Sequence, residues 1–187
     1  MRLEQMIVAA DICIKIGLSE KFLFLEKLIP SIAEKTYIHK TVYNEIMRPA
    51  SAKQQLDRLI EAGIVEVIDV CDLSDIEKIL YDATYDTLAE VMINKTNPNK
   101  NNGEVSSLAI AKVKNIHIFA TDEKDLQPII DAKLNTGIND IFCLRIIDII
   151  TKIKDVEFSG LTRKEAKILW ALSGKSKEWF DTEIWPI

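Results

Sequence analysis

Met6-Ile7-Val8-Ala9-Ala10-Asp11 and Ile116-His117-Ile118-Phe119-Ala120-Thr121-Asp122 are two short apolar runs, each closed by a carboxylate. Runs of this length, apolar throughout, read as strands buried on both faces, and the first acid beyond each marks a strand's carboxyl end. Helical patterns separate them from the other β-like runs. In chain order the pattern predicts strand 6–10, helix 12–30, strand 35–38, helices 40–47 and 52–62, and strand 64–70. A helical stretch 73–93 follows, then the polar loop 94–103 (NKTNPNKNNG), helix 104–114, strand 116–120 and helix 123–133. Segment 138–153 reads either as an edge strand 138–142 with a helix 143–153, or as one helix, because periodicity alone does not separate them. Strands joined through helices require crossovers, so the expected fold is a three-layer α/β/α sandwich around a central parallel sheet. We divide the chain into a domain 1–154 and a C-terminal helical extension 155–187. Thr162 and Glu165 form a capping box there, Gly174 ends the helix, and Trp179, Phe180 and Trp185 must pack on the domain or on a partner.

A chain of 187 residues with 48% hydrophobic and 28% charged residues has the composition of a soluble globular domain. It contains no twenty-residue apolar span and nothing resembling a signal peptide, so the expectation is a cytoplasmic protein that does not enter membranes. Net charge is −5, which argues against a protein that coats nucleic acid through a general basic surface but leaves a nuclease open. Three widely spaced cysteines, Cys13, Cys71 and Cys143, have apolar neighbours and read as buried free thiols.

Glu45 lies three residues after Val42 and beside Ile46, at the border of an apolar helical stripe. Glu104 opens a helix in which Leu108 and Ala111 follow at i+4 and i+7. With Asp11 and Asp122 they make four acids that a parallel sheet would gather at one crevice. Such a cluster is repulsive without protons or a divalent cation, so a metal site is the leading expectation. Each acid also has an ordinary reading. Asp is a favoured N-cap, and Asp11 and Asp122 precede helices. Asp125 would suit a helix dipole, and carboxylates bordering amphipathic helices are common.

Gly103-Glu104-Val105-Ser106-Ser107-Leu108-Ala109, the eighteen-residue step from Glu104 to Asp122, and Thr121-Asp122-Glu123-Lys124-Asp125 together resemble the second half of a PIN nuclease domain. The first half agrees: strand-Asp11-helix, then Glu45 within Thr41-Val42-Tyr43-Asn44-Glu45-Ile46, is similar to that family's first two acidic positions. The likeness covers roughly residues 6–142. It implies Mg²⁺- or Mn²⁺-dependent hydrolysis of RNA by Asp11, Glu45, Glu104 and Asp122, with Asp125 as an auxiliary metal acid and Thr121 orienting a carboxylate or water. It also implies 5′-phosphate and 3′-hydroxyl products, and membership in a toxin–antitoxin pair with an antitoxin or other protein partner, or a homodimer. Lys95 and Lys100 read equally as RNA-phosphate contacts or as solubilising charges. The sequence predicts that Asp11→Asn or Asp122→Asn abolishes cleavage with folding intact or improved, because one anion fewer relieves repulsion. The alternative is a catalytically inactive PIN-like module that binds RNA or protein.

Other motifs are weaker. Gly174-Lys175-Ser176 ends like a phosphate-binding loop, but Leu169 stands where the first glycine is required. His39 and His117 read as cap and core residues. No Ser-His-Asp or Cys-His set is present. Asp82, Asp86 and Glu90 read as a solvated helix face.

Overall fold

A computed structural model describes residues 2–94, 96, 97 and 100–186. Strand β1 (Leu3–Val8) is the centre of a five-stranded, wholly parallel sheet. Its side chains alternate between two cores. Met6 and Val8 face one apolar cluster, and Ile7 and Ala9 face another, which is why the run is apolar without a break: both faces are covered. The remaining strands are β2 (Ala33–His39), β3 (Val65–Ile68), β4 (Ile118–Ala120) and β5 (Phe142–Leu144), in the order β3-β2-β1-β4-β5. The first core takes α1 (Ala10–Ile16), α2 (Phe24–Ile32), α4 (Ala50–Glu61), α8 (Ile146–Lys154) and α9 (Arg163–Leu172). The second takes α5 (Asp75–Met92), α6 (Asn102–Val113) and α7 (Leu126–Lys133). Short α3 (Lys40–Glu45) follows β2. The architecture is the three-layer α/β/α sandwich that the alternation predicts.

Helix 12–30 divides in two. Gly17 closes α1, and its carbonyl accepts from Ser51 Oγ (2.7 Å) and Gln55 Nε2 (3.1 Å) of α4. Fully buried Gln55 also accepts from the Leu25 amide (3.0 Å). The break is therefore satisfied by side chains thirty residues away, which local periodicity cannot register. A Cβ on Gly17 would stand 2.6 Å from Ala52 Cα, a backbone atom. Gly17→Ala should lower stability by about 1–3 kcal/mol through overpacking, read as a drop in Tm; an unchanged Tm would show that α1 and α4 are not in firm contact.

Of the two readings of 138–153, strand plus helix is the one found. The strand lies at Phe142–Leu144 and not at 138–142, because Asn135 and Gln127 side chains bind the Ile141 and Cys143 amides (2.8 and 2.6 Å) and hold the entry to the sheet there. Cys71 is exposed and Cys143 only partly buried, so the expectation of three buried thiols holds for Cys13 alone. His117 is an exposed residue ahead of β4, its Nδ1 3.0 Å from the Asp140 carbonyl, and has no core role.

The extension joins the main core. The Thr162–Glu165 box is formed in both directions, and Gly174, at φ +81, follows the helix end. Trp170 and Phe180 are fully buried and form a ring cluster with Trp179 and Trp185. Their cluster is continuous with α1 and α8, so the tail aromatics pack on the domain. Among the described residues no helix is long and apolar enough to cross a membrane.

Candidate active site

The chain lays down β1, β2 and β3 outward in one direction, then returns beside β1 with β4 and β5. Crevices form at such reversals, at the carboxyl ends of the strands. The Ala9 amide donates to the Ala120 carbonyl (2.9 Å) and the Thr121 amide to Leu144 (3.1 Å). This extension of the ladder sets Asp11 directly beside Thr121 and Asp122.

Asp11 is the second residue of α1, whose N-cap is Ala9, without a side-chain capping bond. Its oxygens instead accept from Thr121 Oγ1 (3.2 Å) and the Asp122 amide (2.9 Å). The capping reading of Asp11 therefore fails, and Thr121 does orient a carboxylate. Asp122 is not a cap of α7 either, since that helix begins at Leu126 behind Asp125, whose side chain makes no capping bond. Buried Asp122 accepts from the Ile146 amide (3.3 Å), from Lys15 Nζ (3.0 Å) and from Lys175 Nζ. Burial alone would raise its pKa, but the hydrogen bonds from Lys175 and Lys15 outweigh it and hold the carboxyl below its ordinary value.

Glu45 ends α3 and Glu104 lies in the first turn of α6. Gly103 brings them together: a Cβ there would meet Glu45 Oε2 at 2.7 Å and Val42 Cγ2 at 3.0 Å, so only glycine admits the carboxylate against the helix. Glu45 is an exposed residue, yet partial desolvation of its carboxyl and then the charge of Glu104 raise its pKa. Burial, followed by Glu123 and Asp11, raises that of Glu104 against a lowering backbone hydrogen bond. Glu104, Glu123 and exposed Asp125 line a cleft of about 200 Å³. Glu45 feels the charge of Glu104 and Glu104 that of Asp11, while Asp11 alone is joined directly to the next residue in the series, through the Asp122 amide. Lys100 is exposed at the entry to α6, and Lys95 lies outside the described residues.

Among the described residues, no three His, Cys, Asp or Glu side chains are arranged to hold one metal ion. Asp122 is engaged by two ammonium groups and Asp11 by Thr121 and an amide. The donor set itself, hard carboxylate oxygens with two carboxyls disfavouring ionisation, has the chemistry Mg²⁺ or Mn²⁺ takes. Glu123, Lys15 and Lys175 are not among the residues the sequence assigns to the centre; Lys175 appears there only in the rejected Gly174-Lys175-Ser176 motif. Lys15 was legible, four residues after Asp11 on one helix face; Lys175 reaches the site only through the fold.

Opposite shifts define a pH signature for the metal-free protein. Glu45 and Glu104 bind protons more tightly folded than unfolded, so stability rises as pH falls toward their ordinary values. Asp122 has the depressed pKa, and Glu77 and Glu165 fall to about 2 through lysine partners and capping bonds. Their stabilisation is lost below about pH 4. Buried His39, its pKa pushed down to about 4, works against the raised pair, since it loses stability as pH falls below about 6.5. The pair is therefore read by difference: the urea midpoint of a Glu45→Gln, Glu104→Gln variant should gain on the native one as pH rises above about 4.5, and a difference that is the same at every pH would contradict the raised pair.

No family model matches the chain, and neither a curated protein nor a solved structure matches it.

Proposed function

We propose that this protein is a Mg²⁺- or Mn²⁺-dependent endoribonuclease whose centre is Asp11, Glu45, Glu104 and Asp122. The observation that carries the reading is the bond from the Asp122 amide to Asp11 (2.9 Å), which joins residues 111 positions apart at the sheet's reversal point. The four carboxylates, with Asp125 at the rim, are the groups that would hold the ion. A divalent ion held there would supply a lowered water pKa and a counter-charge for the phosphate.

The protein's own groups divide the remaining work. Thr121 fixes the Asp11 carboxylate. Glu104 and Glu45, whose pKa values desolvation and neighbouring charge raise, are the carboxylates whose negative charge a divalent ion would offset. Lys15 and Lys175 supply positive charge beside the phosphate once Asp122 turns from them. RNA is the substrate, a toxin–antitoxin role and an antitoxin partner follow the PIN-like pattern of acids, and the site belongs in a cytoplasmic protein.

An end-labelled RNA incubated with Mn²⁺, and in parallel with EDTA, tests the reading. Cleavage with Mn²⁺ alone, leaving 5′-phosphates, supports it; equal cleavage in EDTA, or none in either, removes it. Gly103→Ala gives a finer test. The added methyl displaces a flexible carboxylate and presses on buried Val42 Cγ2 against a gain in helix propensity, so stability should fall by no more than about 2 kcal/mol while cleavage falls about tenfold or more. Unchanged cleavage would remove Glu45 from the centre.

The second reading, a non-catalytic module, has one observation in its favour: Asp122 is already neutralised by Lys15 and Lys175. Calorimetric Mn²⁺ titration separates the two, since a module of this kind binds none at millimolar metal.

A further inference from the structure

We propose that the cleft between the ends of β2 and β3, walled by α3, α5 and α6, binds a nucleobase, and that it serves as the base-reading subsite beside the acidic centre. The cleft encloses about 420 Å³, enough for one flat heterocycle and its sugar. His39, Tyr81 and Tyr85 form a row of stacked rings along it, with centroids 6.3 and 6.0 Å apart and interplanar angles of 10° and 26°. His39 and Tyr81 are buried, whereas Tyr85 is only half-buried, so the row ends at a ring another flat ring can extend. Base–aromatic stacking works with any base because each has a π-face.

The polar groups select a base over a phosphate. Lys40 is paired with Asp69 at 2.6 Å, and Asp82, also in the lining, leaves the cleft negative. A phosphate is repelled there, while amino and imino N–H groups of a base find acceptors. His39 adds an uncharged ring. Its Nδ1 accepts from the Thr41 amide (3.1 Å), and burial pushes its pKa down to about 4. The ring is therefore neutral with its proton on Nε2, and that buried nitrogen has no hydrogen-bond partner. That nitrogen has almost no accessible surface, so His39 serves the cleft as the inner ring of the stack and not as a hydrogen-bond donor to the base. Tyr85 is held by its hydroxyl on Asn102 Oδ1 (2.8 Å).

Continuity with the acids gives the cleft its role. Asn44 precedes Glu45, and Asn102 and Ser106 flank Gly103 and Glu104 on α6. A strand crossing the seam between Glu45 and Gly103 would present its phosphate to the acids and an adjacent base to the rings.

The ligand class rests on the endoribonuclease reading; the binding test does not. The four ribonucleosides and ribose 5-phosphate are titrated into the full chain in EDTA, followed by NMR of the tyrosine and imidazole protons. Saturable nucleoside binding is expected, with no response to ribose 5-phosphate. Tyr85→Ala should weaken binding at least about tenfold, while Tyr85→Phe, which keeps the ring, stays within about threefold. Exposed Asn44→Ala, remote from the core, should change the order of preference among bases. The proposal is overturned if nucleosides do not bind at millimolar concentration, if ribose 5-phosphate binds as well, or if folded Tyr85→Ala binds like the native chain. Cleavage of RNA without nucleoside binding would remove the subsite alone; nucleoside binding without cleavage would keep it and remove the nuclease.

Discussion

Asp11→Asn is expected to reduce Mn²⁺-dependent RNA cleavage by about a thousandfold or more while leaving Tm within a few degrees of the native value. The two effects separate because of what Asp11 touches. Its two oxygens accept from Thr121 Oγ1 and the Asp122 amide; in asparagine the carbonyl keeps the Asp122 amide, and the NH₂ group faces the Thr121 hydroxyl, which turns to accept from it. Its salt bridge to Lys15 is long, 3.7 Å, and partly exposed, so its loss is worth little. What the amide cannot supply is the negative charge that a divalent ion and a developing phosphorane require. Cleavage assays and thermal melts on the same preparation check both halves. Equal cleavage by the variant and the native chain would take Asp11 out of the chemistry.

Asp122→Ala is expected to be the more damaging change to the fold, with a loss of about 2–3 kcal/mol. Sequence alone predicts the opposite sign, since removing an anion from an acidic cluster relieves repulsion. The structure reverses it: the Asp122 side chain is 3% exposed and sits between Lys15 and Lys175, with the Ile146 amide as a third donor. Without it, Lys175, itself 17% exposed, is left without its carboxylate partner, which is the costly way to break such a pair. We discount the full penalty for a buried pair because Lys15 is 35% exposed and can reach water. For a chain of this size the loss corresponds to a Tm drop on the order of 5–10 °C. Trp170 lies under the same ammonium, 5.5 Å from ring centre to Nζ, so its fluorescence should report the loosened extension. A Tm equal to or above the native one would mean that the two lysines do not hold the tail to the centre.

The parallel sandwich was legible because its signals are local. Unbroken apolar runs such as Met6 to Ala10, separated by helical patterns, have few other solutions. Asp11 and Asp122 were legible for the same reason, as the first acids past two strand ends. The break at Gly17 was not, because Ser51 and Gln55 satisfy it from another helix. Lys175 was hidden more deeply. It stands in a short turn after α9, with no periodicity pointing inward, and only the docking of Trp170 and Phe180 carries it to Asp122. His39 was read as a cap, which it is, but nothing local shows that the nitrogen opposite the capping one is buried without a partner.

Crystals soaked in Mn²⁺ offer the most direct measurement of whether distant acids share a divalent ion. Anomalous density is expected beside Asp11, Glu45, Glu104 and Asp122, with Lys175 turned away from the carboxylate. Well-ordered crystals at millimolar Mn²⁺ that show no such density, with both ammonium groups still on Asp122, would contradict a shared ion.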